Sequence, residues 1–223
     1  MAKGMKCALI GQAFMGKAHS NAYRQVSRFF DLPLQPEMHK IAARDGAALE
    51  PFAKAQGWAG WTTDWRSLAD DPEVGMVDVS TPNHLHREMS LAMLKAGKHV
   101  ACEKPLASTL EEAREMRDAA RKAKASKTFV WFNYRRAPAI ALAWQMLRKK
   151  RLGQIYHVRA SYLQSWGMAS TPMGWRFKKK HAGSGAHGDL NAHIVDLARF
   201  LLQEEIVEVH GAVARTFVKQ RTW

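Results

Sequence analysis

Five short apolar runs, Met5 to Ile10, His39 to Ala43, Met76 to Ser80, His99 to Cys102 and Thr128 to Phe132, recur along the first part of the chain with longer amphipathic stretches between them. Runs this short, alternating with helix-length segments, are how parallel strands joined by crossover helices read in sequence. Helices are expected near Phe14 to Arg28, Ala47 to Gln56, Leu85 to Ala96 and Leu110 to Lys124. Ser108 with Glu111 predicts a capping box at the start of the last of these, and Gly97 a glycine stop after the one before it.

Beyond Tyr134 the pattern changes. A helix is expected over Ala139 to Lys150, then an alternating run over Ile155 to Leu163, a loop rich in Gly, Lys and Trp, an amphipathic helix over Asp189 to Leu202, and another strand over Ile206 to Ala214. The chain therefore divides into an α/β domain, residues 1–133, and a shortened α+β domain, residues 134–223. Two strand candidates leave the second domain with an exposed sheet edge to manage.

Composition narrows the function classes. With 223 residues, 47% of them hydrophobic, the chain can fill a sizeable core. The net charge of +14 is spread out, densest at Arg148 to Arg151 and Lys178 to Lys180, and no helix-turn-helix or zinc-finger pattern accompanies it, so no specific nucleic-acid partner is expected. Nor is there an uninterrupted apolar span of membrane length, and the first ten residues run directly into a strand rather than a secretory leader. Cys7 and Cys102 lie in apolar segments, which suits buried thiols in a reducing cytoplasm.

Three constellations carry chemistry. Gly11-Gln12-Ala13-Phe14-Met15-Gly16 follows the first strand and opens a helix, the context of a dinucleotide-binding turn, although Ala13 stands where that pattern usually has its middle glycine. The alternative is a turn that merely joins strand to helix. At the end of the second strand, Arg44 would suit the 2′-phosphate of NADP and Asp45 the ribose of NAD.

Thr81-Pro82-Asn83 with His86, and Glu103-Lys104-Pro105, fall at the carboxyl ends of the strands beginning at Met76 and His99, where open α/β sheets bind ligands. Pro105 favours an extended Lys104 whose ammonium points outward, towards a cofactor or substrate oxygen. In the second half, Asp189 and His193 share a helical face, with Asp196 a turn further on. A carboxylate beside an imidazole is suited to taking a proton from a hydroxyl. Trp166 and Trp175 could stack on a sugar, or simply pack. His181, His187 and His193 are six residues apart and share no helical face, so no metal is expected.

Taken together, Gly11 to Gly16, TPNHLH at 81–86, GKHVACEKPLA at 97–107, FNYRRAP at 132–138 and GSGAHGDLNAHIVDLARFL at 183–201 resemble the glucose-fructose oxidoreductase, inositol dehydrogenase and rhizopine-catabolism family. The resemblance implies an N-terminal Rossmann domain with a parallel sheet and a second domain with a mostly antiparallel sheet that also joins subunits into a homo-oligomer. It implies that Lys104 binds the reacting hydroxyl beside the nicotinamide, that His193 moves its proton and that Asp189 holds substrate. Asn83 and His86 match the segment lining the cofactor, and Tyr134 and Arg135 match positions facing the substrate. Family members are considerably longer than this chain.

The expected activity is NAD- or NADP-dependent hydride transfer to or from a sugar or polyol secondary alcohol. The alternatives are a glycoside hydrolase that retains its NAD, and a non-catalytic sensor of dinucleotide or sugar.

Overall fold

The computed structural model describes residues 3–216 and 218–221. Its contacts divide the chain into two compact units, Met1–Trp131 and Phe132–Trp223.

The first unit is a six-stranded sheet, every pairing parallel, in the order β3-β2-β1-β4-β5-β6. Its strands are β1 (Lys3–Ile10), β2 (Leu34–Ala42), β3 (Gly60–Thr62), β4 (Met76–Val79), β5 (His99–Cys102) and β6 (Thr128–Val130). The helices between them are α1 (Phe14–Phe29), α2 (Gly46–Gln56), the single turn α3 (Ser67–Asp70), α4 (His86–Lys95) and α5 (Leu110–Lys122). Strand order reverses between β1 and β4, so the carboxyl ends of β1, β4 and β5 open onto the crevice where sheets of this topology take ligands.

Strands covered on both faces should be apolar, and the carboxyl half of β1 is: Cys7, Ala8, Leu9 and Ile10 are all buried. Alternate residues serve the two faces. Ala8, Ile10, Val77, Val79, Val100 and Cys102 pack with Met89 and Met93 of α4 and Met116 of α5. Leu9 and Ile41 pack with Leu49 and Ala53 of α2 and with Trp58. Each Val, Leu, Ile or Met among them contributes about 1.5–3 kcal/mol on burial. Asp78 breaks the pattern, a carboxylate with no exposure in the middle of β4.

Cys7 and Cys102 are free thiols, and burial pushes the pKa of each up to about 12. Gly97 follows α4 with a positive φ of 75°. The capping box of α5 sits one residue later than the sequence suggests, on Thr109 and Glu112 rather than Ser108 and Glu111. The Thr109 hydroxyl accepts from the Glu112 amide at 3.2 Å while the Glu112 carboxylate accepts from the Thr109 amide at 3.3 Å. Both candidate pairs have the right spacing, and the helix start selects between them. Strand β3 was invisible to hydrophobic pattern because its Gly60-Trp61-Thr62 has no buried side chain.

The second unit is helical and looped. It holds α6 (Pro138–Arg148), the single turn α7 (Lys179–Ala182) and α8 (Ala192–Leu202), with a π-helical turn over His187–Asn191 leading into α8. Trp144 of α6 stacks on Phe200 of α8 with centroids 6.1 Å apart. The expected antiparallel sheet does not appear. Among the described residues no strand follows β6, and residues 155–163 and 206–214 join no ladder. A strand exists only as one side of a ladder, and these two runs have no partner. Their apolar side chains are left in solvent: Tyr156 is 91% exposed and Val207 97%.

Candidate active site

The glycine turn after β1 is tight. Gly11 takes φ +120° and donates its amide to Ala42 O at 2.8 Å. A Cβ there would meet Ser80 Oγ at 2.7 Å, and a Cβ on Gly16 would lie 2.1 Å from Gly11 O. Both positions need glycine for closeness of approach. Ala13 is in extended conformation as the N-cap of α1 and supplies no capping side chain, and the first turn carries no acid. The first amides of a 16-residue helix are therefore left to an anion from outside, in a helix end already favourable to negative charge. Phe14 beside them is 78% exposed, Met15 is half-buried, and Gln12 Oε1 is buried without a hydrogen-bond partner. A dinucleotide pyrophosphate fits this cradle.

Arg44 and Asp45 are both exposed after β2, but they are not equivalent. Asp45 caps α2, its Oδ1 accepting from the Ala48 amide at 3.1 Å. The Asp45 carboxylate thus has a structural duty in addition to any ligand.

At the end of β4, Thr81 and Pro82 are half-buried and Asn83 is buried. His86 is fully buried, and its ring ties two loops together, Nδ1 lying 2.9 Å from Pro105 O and Nε2 2.8 Å from Thr81 O. Burial lowers its pKa despite the two carbonyls, which pull the other way. His86 shapes the segment carrying Lys104 from behind.

At the end of β5, Glu103 is 5% exposed, Lys104 is half-buried, and the Lys104–Pro105 peptide is cis. The Glu103 side chain folds back so that Oε2 accepts from the Lys104 amide at 3.0 Å. Its other oxygen meets His19 of α1, whose Nε2 lies 3.0 Å from Glu103 Oε1 and whose Nδ1 lies 2.9 Å from Asp78 Oδ2. Tyr23 donates to the same Asp78 oxygen at 3.1 Å and the Trp131 indole to the other at 2.8 Å. This buried network escaped the sequence reading. Its one visible sign was Asp78, a charge inside the apolar run of β4.

In the second unit, His193 is 5% exposed near the start of α8. Its ring is packed by Tyr134 at 4.4 Å, Tyr162 at 6.0 Å and Phe132 at 6.1 Å between centroids. The Tyr134 and Tyr162 hydroxyls are 2.5 Å apart, and that hydrogen bond pushes the Tyr162 pKa up to about 12. Tyr134, Tyr162 and His193 line a groove of about 400 Å³ together with Ile194, Leu197 and Leu201. Tyr162 was hidden within the run read as a strand.

Asp189 lies in the π-helical turn over His187–Asn191 that leads into α8, and His193 is in the first turn of α8. Asp196 lies a turn beyond His193 on α8. It is buried and takes a two-point ion pair from Arg135, Nε to Oδ2 at 2.7 Å and Nη2 to Oδ1. The Arg135 guanidinium also sits over Phe132 and Phe200. Trp175 is half-buried under the Arg176 guanidinium, which lies 4.5 Å from its ring centroid.

Among the described residues, His39, Asp71 and Glu73 are close enough together to share a metal ion, but Lys40 pairs with Asp71 at 2.7 Å and Lys6 with Glu73. No described helix is long and apolar enough to cross a membrane.

Residues 5–131 match the oxidoreductase family GFO/IDH/MocA, described as an NAD-binding Rossmann fold, and residues 140–222 match a GFO/IDH/MocA C-terminal domain. The levoglucosan dehydrogenase of Pseudarthrobacter phenanthrenivorans is 43% identical over 221 residues, covering 98% of this chain and 56% of the relative. The 1,5-anhydro-D-fructose reductase of Ensifer adhaerens is 38% identical over 173 residues, 77% of this chain and 50% of its own. Among solved structures, an oxidoreductase domain protein from Kribbella flavida matches with TM-score 0.95 and 48% identity over 99% of this chain and 59% of that one. Levoglucosan dehydrogenase in complex with NADH and levoglucosan matches with TM-score 0.88 and 44% identity over 91% and 55%. The chain spans about half the length of the curated relatives it matches.

Proposed function

This chain belongs to the GFO/IDH/MocA oxidoreductase family, and we propose that it carries the nicotinamide-binding part and the proton-transfer residues of a dehydrogenase acting on a secondary alcohol of a sugar or polyol. The observation that carries the reading is the switch point of the sheet, where a glycine-tight turn, an uncapped helix start and Lys104 stand at the ends of β1 and β5.

In this reading residues 1–133 bind the dinucleotide and residues 134–223 the substrate. The first amides of α1 take the pyrophosphate, and Asp45 and Arg44 meet the adenosine end. NADH in the complexes of a relative at 44% identity favours NAD. Thr81, Pro82 and Asn83 border the cofactor. A bound nicotinamide supplies the hydride acceptor.

Lys104 donates to the substrate oxygen and steadies the charge that develops there, while His193 takes the hydroxyl proton. Asp189, Tyr134, Arg135 and Trp175 orient the sugar, Arg135 being held in place by Asp196. An anhydrosugar such as levoglucosan is the first substrate to try, because a relative bears that name.

The further parts of the proposal are a mostly antiparallel sheet, built on residues 155–163 and 206–214 once they have partners, a homo-oligomer joined through it, and a cytoplasmic setting suited to two free thiols. Alternating exposed side chains, Val207 and Val209 among them, support the sheet.

The test mixes purified protein with NAD or NADP and a panel of anhydrosugars, hexoses and polyols and follows reduced cofactor by absorbance. Turnover with at least one sugar is expected. Lys104→Ala and His193→Ala should each lower kcat by roughly a hundredfold or more, the usual worth of a positioned proton-transfer group. Failure of every sugar with both cofactors, or full activity in either variant, overturns the proposal.

A further inference from the structure

The buried network behind Lys104 carries an inference about charge. Asp78 has no exposure and Glu103 only 5%, and the two carboxylates face one ring. Two ionised carboxylates removed from water repel one another, and each loses its hydration. A group between them must answer that cost.

The geometry specifies the group. A neutral imidazole has one donor nitrogen and one acceptor, so a neutral ring would turn a lone pair on one of the carboxylates. His19 presents both nitrogens to carboxylate oxygens at hydrogen-bond distance, an arrangement satisfied by two N–H donors. Asp78 is then surrounded by donors, from His19, Tyr23 and Trp131, and Glu103 by two, from His19 and the Lys104 amide.

We propose that His19 is a positioning residue for Lys104: as an imidazolium it clamps Asp78 and Glu103 together and thereby holds the Glu103 carboxylate on the Lys104 backbone amide. The groups that face this ring are the two carboxylates, with the Tyr23 hydroxyl beyond Asp78 and the Trp131 ring edge-on at 5.2 Å. Burial, and after it the charge of Asp78, raises the pKa of the Cys7 thiol of β1, which stays neutral there. Burial alone would discharge the imidazole, and the two carboxylates outweigh it, raising its pKa to about 10.

The structural part of this inference stands without any activity, and only its catalytic consequence rests on Lys104 binding the reacting hydroxyl. The experiment keeps the two apart. In the 223-residue chain labelled with nitrogen-15, both ring nitrogens of His19 should carry protons at about pH 8, well above the ordinary histidine pKa near 6.5. His19→Gln keeps a donor aimed at Glu103 and removes the charge. It should speed deuterium exchange at the Lys104 amide by roughly tenfold or more, the worth of one charge-assisted hydrogen bond, while exchange along β1 is unchanged.

With a sugar and NAD, kcat should fall by a similar factor and KM for NAD should stay within about threefold. Glu103→Gln provides the second variant should His19→Gln not fold. It should also speed exchange at Lys104, and it should lower the His19 pKa. A single neutral tautomer of His19 at that pH, or unchanged Lys104 exchange in the folded variants, overturns the clamp. A parent protein with no turnover refutes the dehydrogenase reading and leaves the exchange and nitrogen measurements to decide this one.

Discussion

Gly11→Ala tests whether the turn after β1 is glycine for backbone conformation or for close approach. Two costs combine at this position. An L-residue at φ +120° is strained by about 1–2 kcal/mol. The added Cβ would also sit 2.7 Å from Ser80 Oγ and 2.8 Å from Ser80 O, and relieving an overpacked contact costs about 1–3 kcal/mol. The sum is about 2–5 kcal/mol, or roughly 4–20 °C in Tm for a chain of this size.

Gly57 provides the control. It follows α2 with φ +85°, and a Cβ there meets nothing within 4 Å, so Gly57→Ala carries the conformational cost alone, about 1–2 kcal/mol. Differential scanning calorimetry of the parent and both variants, with and without NADH, reads the difference. Gly11→Ala should lose more stability than Gly57→Ala, and should also lose most of the stabilisation by NADH that Gly57→Ala retains. Equal losses, with NADH stabilising both variants as it does the parent, would show that close approach at Ser80 is not what requires the glycine.

Arg135→Ala leaves the Asp196 carboxylate, 4% exposed, without its cation. Because the arginine side chain is itself 39% exposed, solvent screens part of the pair and the loss should be about 1–3 kcal/mol, read as a lower urea midpoint, with partial recovery in Arg135→Ala/Asp196→Asn. Stability should also fall with rising pH. His19 gains its proton more readily when folded, so its contribution is complete below the ordinary value of 6.5 and disappears as pH climbs through about 10. Cys7 and Cys102 reinforce the trend above 9.0, where unfolded thiols ionise and the folded ones, at about 12, do not. Urea midpoints across this range should decline from near neutrality in the parent and only from about 9 in His19→Gln; a flat parent profile between those limits contradicts the charged imidazole.

The sequence determined the first unit almost completely because its signals are local. Apolar runs of strand length, the glycines at 11, 16 and 97, and helix-length amphipathic stretches each state a backbone preference within a few residues, and five of the six strands followed from them. Lys104 at a strand end was legible for the same reason. Tertiary structure alone decided which charges meet. His19 finds Asp78 and Glu103 across 59 and 84 residues of chain, and Arg135 takes Asp196 across 61. No periodicity encodes such pairings, since a polar residue's spacing names the face it occupies and not the group that will face it. Residues 155–163 show the same limit from the other side: alternation marks a surface fit for a sheet, and only a neighbouring strand turns it into one.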